Sequence, residues 1–382
     1  MIQPARFAIA ATTVFDGARL LQDHAVIVDG DRIEAVCPRH QLPEGLTVTE
    51  RPADEWLAPG FIDIQVNGGG DVLLNDSPTA AAMRTIAAAH RRYGTTSVLP
   101  TLITDRPEKM QAALAAARDI PAGAGILGLH LEGPFLSPEK PGVHDPALIR
   151  PPTQDDVDML AQSGLAVTLV TLAPECVPAT FLTTLARRGV RLSLGHSMAT
   201  YEQTKAALAA GVTGFTHLFN AMRPLQSREP GPIAAALESA DASFGMIVDG
   251  AHVHPAMLRL ALRGAGRPML VTDAMPPVGG QAPNFRLGAR TATRSGAHCT
   301  LPDGTLAGTA LDMASAVRNA VRLLDCSLER ALSYATLAPA RFLGVEDRVG
   351  RLAPGRRADM VALLPSDVRV VGTWLGGSWQ DA

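Results

Sequence analysis

Aromatic side chains are scarce in this sequence: 3 Trp, 3 Tyr and 10 Phe amount to 4% of its 382 residues. That scarcity removes the stacking platform on which single-stranded nucleic acids are held. Charge of one sign is missing as well, since 34 Lys and Arg stand against 37 Asp and Glu for a net charge of -3, with the arginines dispersed. Without a basic stripe no nucleic-acid partner is expected, and any anionic ligand has to be caught by local groups. Cysteine is equally sparse. Cys37, Cys176, Cys299 and Cys326 lie far apart with no C-x-x-C pair, which excludes a disulfide-stapled scaffold and a zinc finger. The opening MIQPARFAIAATTVF lacks a basic stretch followed by a long apolar run, so a reduced, cytoplasmic protein is expected. No apolar run approaches the ~20 residues of a membrane helix, and no membrane span is expected. What the chain does have is 47% hydrophobic residues, enough for a large core in one big domain with a small companion.

The two ends read as short strands. FAIAATTVF, AVIVDG and IEAV are punctuated at Gly30, Asp31 and Arg32, and DMVALLP and VRVVGTWLGG repeat the style near the C-terminus. This is hairpin grammar. Because chain ends often lie close together, residues 1–57 and 346–382 are expected to build one small β-sandwich domain. Between them, over residues 58–345, eight apolar runs alternate with alanine-rich segments: FIDIQVN, TSVLPTL, GILGLHLEG, AVTLVTLAP, VRLSLGH, GFTHLF, FGMIVDG and MLVTDAM. The intervening AAAMRTIAAAHRRYG, MQAALAAARDI, ATFLTTLARRG and TYEQTKAALAAG have helical apolar spacing, several closed by glycine. Near-continuous apolar strands each followed by a helix predict an α/β fold, the (β/α)8 TIM barrel.

Polar residues fall at the C-terminal ends of those runs: Gln65 and Asn67, His130 and Glu132, His196, His217, Asp249 with His252 beyond it, and Asp273. In a barrel these ends converge on one mouth, where catalytic groups sit. A catalytic divalent ion takes three protein ligands and leaves a position for water, and Glu132, His196 and His217 supply such a set. Any one of the histidines could be a hydrogen-bonded core residue, but three candidate ligands at three strand ends favour a metal site. Asp273, in VTDA, suits a group that takes a proton from water and gives it to a leaving nitrogen. Its alternative is a helix N-cap, against which the PPVGG loop that follows it weighs. His144, in GVHDP, is either a donor to an acyl oxygen or a loop histidine. Arg228, the Asn220-Ala221 backbone and His252 are candidates for gripping an anion, although Arg228 alone would read as a solvated surface charge. The segment GTLAGTAL, with Leu306, Ala307, Gly308 and Thr309 as candidate substrate contacts, is either a lid or the cap of the next helix. It lacks the Lys-Ser/Thr ending of a phosphate-binding loop.

In order along the chain, HLEGPF, VTLAPE, GHSMAT, THLFNAM, REPG, VDGAHVH, VTDAM, GTLAGTALDM and GRLAPGRRADMVAL closely resemble the N-acetylglucosamine-6-phosphate deacetylases of the amidohydrolase superfamily. The resemblance covers nearly the whole chain from about Ala58. It implies hydrolysis of N-acetyl-D-glucosamine 6-phosphate to D-glucosamine 6-phosphate and acetate, with the 4-epimer, N-acetylgalactosamine 6-phosphate, as the rival substrate. By matching motifs it makes Glu132, His196 and His217 the metal ligands, Asp273 the acid/base, and His144 the neighbour of the acetyl carbonyl. Asn220, Ala221 and Arg228 become contacts to phosphate, and His252 a contact to sugar or phosphate. The resemblance further implies a homodimer, Arg228 serving the partner's site. Many amidohydrolases carry His-x-His on the first strand for a second metal. Here Gln65-Val66-Asn67 stands there, and the fourth run, AVTLVTL, lacks a bridging lysine. One divalent ion per subunit is therefore expected, Zn2+ first and Fe2+ or another divalent ion as alternatives. A non-catalytic scaffold is the remaining rival, against which the retained ligands and Asp273 weigh.

Overall fold

A computed structural model describes residues 6–382 of the chain. Eight parallel strands form the central sheet: Phe61–Val66, Thr95–Ile103, Leu129–Glu132, Thr168–Leu172, Arg191–Leu194, Gly214–Phe215, Ser243–Met246 and Arg267–Leu270. They pair in sequence order. The ring closes where the chain after the eighth strand meets the first: Asp273 N–H donates to the Gln65 carbonyl at 3.0 Å and Asn67 N–H to the Ala274 carbonyl at 2.9 Å. Side chains of both sheet faces are buried, as expected when helices cover the outside of a parallel barrel, and one cluster containing Phe61, Leu99, Leu131, Val170, Leu192, Phe215 and Phe244 runs through it.

The helices start where local chemistry starts them. Thr79 accepts a hydrogen bond from Ala82 N–H ahead of helix Ala80–Arg91, while Thr153 with Asp156 and Thr200 with Gln203 form capping boxes for the helices that follow the third and fifth strands. Such caps satisfy N–H groups that the first helical turn leaves without partners.

Strands from both ends of the chain share one sheet, as expected. The antiparallel run Arg6–Phe15, Leu20–Asp29 and Arg32–Pro38 joins Trp56–Pro59, which pairs with the C-terminal strand Met360–Leu364. Ile9, Val26 and Ile33 of the first segment pack with Met360, Ala362 and Trp374 of the last in a single apolar cluster. The sheet thus curls over its own core. The four cysteines form no disulfide, and no helix of the described residues is long and apolar enough to cross a membrane.

One element departs from the sequence reading. Between the eighth strand and its helix Met313–Leu324 lies a four-stranded antiparallel sheet, Asn284–Leu287, Arg290–Ser295, His298–Thr300 and Leu306–Thr309. The GTLAGTAL segment, expected as a lid or a helix cap, is instead its last strand, while Asp312 caps the helix. Alternating small and polar residues around Gly288 and Gly296 turns, with Leu287, Ala292 and Cys299 buried on one face, are the period-2 signal that marks it.

Candidate active site

The mouth of the barrel holds a cavity of about 230 Å3 lined by Glu132, His144, His196, His217, Asn220, Ala221, His252, Asp273, Leu306 and Gly308. Asn67, Ile103, Val143 and Met275 complete much of the wall. Three expected contacts lie elsewhere. Ala307 is buried in the apolar cluster of the inserted sheet, and the Thr309 hydroxyl donates to the Thr272 carbonyl at 2.7 Å. Arg228 sits on an exposed loop with Leu225, an exposed large hydrophobic.

Glu132, His196 and His217 are buried, and one ligand atom of each lies within 4.8 Å of the others. Glu132 Oε1 is 2.9 Å from His217 Nε2 and 3.2 Å from His196 Nε2, and the two Nε2 atoms are 3.2 Å apart. A tetrahedral ion with bonds of ~2.0–2.1 Å sets its ligands ~3.3 Å apart, so the spacing fits a small divalent cation. The donor chemistry fits too. His196 Nδ1 lies 2.8 Å from the Lys140 carbonyl, an acceptor, so the ring proton sits there and the Nε2 lone pair faces the carboxylate. Two lone pairs aimed at each other at this distance repel unless something positive lies between them. Burial alone would raise the Glu132 carboxyl, but the two imidazoles at its oxygens outweigh burial and hold it well below the usual range. Burial likewise pulls His217 down, and the Glu132 carboxylate reverses this and raises it. The site favours positive charge, which a cation supplies.

The place of a second ion is filled by amides. Gln65 Nε2 lies 3.2 and 3.3 Å from the Glu132 oxygens and 3.3 Å from Asp273 Oδ1. Asn67 Nδ2 donates to the same Asp273 oxygen at 2.7 Å. These N–H groups bind the carboxylates as donors, where a metal would need lone pairs from the protein.

Asp273 is fixed by the barrel seam. Its carbonyl accepts from Thr309 N–H at 3.0 Å, and Gly308, at φ +69°, passes so close that a Cβ there would come within 2.9 Å of that carbonyl. Glycine is required at this approach. Burial, then the negative charge of Glu132, pushes the Asp273 carboxyl up to about 6, near the range suited to a base at neutral pH. His196, His217 and Asp273 all adopt left-handed backbone, with φ of 49°, 33° and 52°. Non-glycine residues held there cluster at functional sites.

His144 is oriented by Thr104, whose N–H lies 3.2 Å and whose hydroxyl lies 2.7 Å from Nδ1. An N–H can only donate, so Nδ1 accepts and the ring proton is on Nε2, a donor left without a protein partner. Burial and the neighbouring histidines keep the ring well below its usual pKa and neutral. Arg290 of the inserted sheet donates to the Val143 carbonyl, bracing this loop. His252 Nδ1 meets Asp249 at 2.7 Å, which orients the ring at the cavity wall.

The sequence reading passed over Asp63. It is fully buried, and accepts from Thr272 through both hydroxyl and N–H and from Gln65 N–H at 3.2 Å. The pair ties the first strand to the eighth beside Gln65 and Asp273. An acid in the otherwise apolar FIDIQV run was the available signal.

The amidohydrolase family model matches residues 56–379, and the NagA composite domain matches residues 7–50. The chain is 40% identical to an N-acetylgalactosamine-6-phosphate deacetylase of a Shewanella species, over 95% of each chain. It is 34% identical to the N-acetylglucosamine-6-phosphate deacetylase of Haemophilus influenzae, over 98% of this chain and 100% of the other. A solved N-acetylglucosamine-6-phosphate deacetylase from Pasteurella multocida superposes with a TM-score of 0.94 at 33% identity, covering 99% and 100% of the two chains.

Proposed function

The chain belongs to the amidohydrolase family, and from that premise we propose that it hydrolyses the acetamide of N-acetyl-D-glucosamine 6-phosphate, yielding D-glucosamine 6-phosphate and acetate. One observation carries the reading: the ligand atoms of Glu132, His196 and His217 converge at the floor of a cavity that Asp273 and His144 also line. A single divalent cation held there, Zn2+ by its mixed imidazole and carboxylate donors with Fe2+ as the alternative, would supply the Lewis-acid field that activates water and polarises the acetyl carbonyl.

The protein's own groups carry the proton. Asp273, anchored through Oδ1 by Asn67 and Gln65, takes a proton from the attacking water and returns it to the sugar nitrogen as the C–N bond breaks, without which an amine leaves poorly. His144 donates its Nε2–H to the acetyl oxygen as charge builds there. The imidazole is neutral beforehand, so its proton is already in place. His252, held by Asp249, contacts the sugar or its phosphate. Asn220, Ala221, Leu306 and Gly308 shape the wall.

Arg228 lies outside its own cavity, on an exposed loop with an exposed leucine. This placement supports a homodimer in which it grips the phosphate in the neighbouring subunit's site, a guanidinium matching phosphate geometry. Arg228→Ala should impair hydrolysis of the phosphorylated sugar about tenfold or more, the scale of a charged hydrogen bond, while changing the unphosphorylated sugar little. Equal impairment of both removes the assignment.

The galactosamine epimer is the second reading, favoured by the 40% identity to the Shewanella enzyme. The two substrates differ in the configuration of one hydroxyl. Acetate release from each sugar phosphate, by metal-loaded protein and after chelation, tests both. Faster release from the glucosamine substrate supports the first reading, the reverse ratio supports the second, and no release from either ends both.

A further inference from the structure

A second cavity lies at the other end of the barrel, where the fifth to eighth strands begin and the helices Leu328–Ala335 and Leu337–Leu343 pack beside them. At about 430 Å3 it is larger than the mouth and falls in the size range of small-molecule sites. Arg191, Arg267, Arg330 and Arg341 line it, against one carboxylate, Asp241. Four positive groups facing one negative leave an excess of three positive charges in a chain whose net charge is -3. The one acid, Asp241, meets Arg267 at 3.0 Å with both side chains open to water, so that pair is weak; Arg330 and Arg341 are exposed as well, and Arg191 is half-buried. Arg191 donates to the Leu343 carbonyl and Arg330 to the Tyr334 hydroxyl. Among the described residues neither of these nor Arg341 is paired with a carboxylate.

The chemistry on this wall is one-sided. Guanidiniums only donate. Tyr334 accepts from Arg330, so its own O–H has nothing in the protein to donate to, and burial raises its pKa and keeps that proton on. A ligand that complements five such groups must be rich in acceptors and negatively charged, and planar guanidiniums match phosphate oxygens two at a time. The rings of Tyr334 and Phe342, both buried, form the apolar part of the wall.

We propose that this cavity is a binding site for a small phosphorylated metabolite carrying at least two negative charges and a ring, of which a nucleoside diphosphate is the type. It uses none of the residues at the barrel mouth and stands whichever sugar is hydrolysed there.

Calorimetric titration of the full-length, metal-loaded protein with ADP and, separately, with inorganic pyrophosphate tests it. Wild type should bind, with an affinity that weakens as salt is added. Arg341→Gln should weaken binding about tenfold and Arg330→Gln with Arg341→Gln further, the size expected for lost charged hydrogen bonds. Tyr334→Phe should weaken it less while retaining the wild-type thermal midpoint. Acetate release should be unchanged in all three. Equal affinities for the two probes would mean that the phosphates alone are recognised; tighter ADP binding would mean that the aromatic wall takes part. No binding of either probe to wild type, or binding undiminished in the double variant, overturns the site.

Discussion

The inner layer of the barrel and its mouth are built from the same kinds of side chain, yet they use them in opposite ways. In the inner layer, His130 lies 3.0 Å from the Ile64 carbonyl through Nδ1 and 2.8 Å from the Thr171 hydroxyl through Nε2. Thr171 and Ser193 both meet the Thr216 hydroxyl, and Asp63 is closed off by Thr272 and Gln65. Each of these groups has a protein partner, and burial pulls His130 down to about 4, so the ring is neutral. At the mouth, by contrast, Glu132 and His196 turn lone pairs toward one point that His217 Nε2 also faces, and His144 keeps a donor without a partner. Residue type therefore does not mark the site. Unsatisfied bonding capacity aimed into a cavity does.

The largest expected effect comes from breaking the mouth. Glu132→Gln exchanges a carboxylate ligand for a poor amide one, so bound metal should fall well below one per chain and acetate release should drop on the order of 10³-fold; full metal content in that variant would mean that the ion sits elsewhere. Breaking the inner layer should cost stability instead. His130→Ala leaves a void and takes one hydrogen-bond partner from each of the Ile64 carbonyl and the Thr171 hydroxyl, so unfolding should become easier by about 2–4 kcal/mol with metal per folded chain unchanged. Loss of metal there would erase the distinction between the layers.

The smallest effect sharpens the comparison through pH. Burial pushes the Asp63 carboxyl up to about 7, against 3.8 for a free aspartate. The folded state then holds this proton more tightly than the unfolded state. Its contribution to stability is full below about 4 and is lost as pH rises through about 7, a change on the order of 1–4 kcal/mol. Asp63→Asn cannot ionise and keeps an oxygen for the N–H groups of Gln65 and Thr272. Its denaturation midpoint should vary less between about pH 4 and 7, the window those two pKa values bound, than that of wild type. An identical slope in both proteins would place the titrating group elsewhere.

Much of this was legible in the sequence because barrel strands are short apolar runs that end in the residues they present. FIDIQVN through MLVTDAM contain all eight strands, and of the polar letters at their ends Asn67, Glu132, His196, His217, His252 and Asp273 line one cavity. His130 shows the limit of that logic. It lies two residues before Glu132 with the same orientation, yet it points into the layer beneath, because partners at Ile64 and Thr171 come from strands far away in sequence. The inserted sheet of residues 284–309 was unread for a different reason. Its strands carry arginine and threonine on their open face and small residues inside, so its apolar signal is weak. The sequence reads Gly308 as a substrate contact in a lid or helix cap; it also has no Cβ to strike the Asp273 carbonyl. Ala307 and Thr309 were placed beside substrate, although alternation along a strand sends them away from the cavity that Leu306 and Gly308 line.

Metal content and acetate release measured on the same preparations of wild type and Asp273→Asn test the central claim most directly. The account predicts about one divalent ion per chain in both proteins, with turnover lower by roughly 10²–10⁴-fold in the variant alone, the span a positioned acid/base supplies. An Asp273→Asn protein that has lost its metal would make Asp273 a ligand, and one that retains both metal and wild-type turnover would place the moving proton on another group.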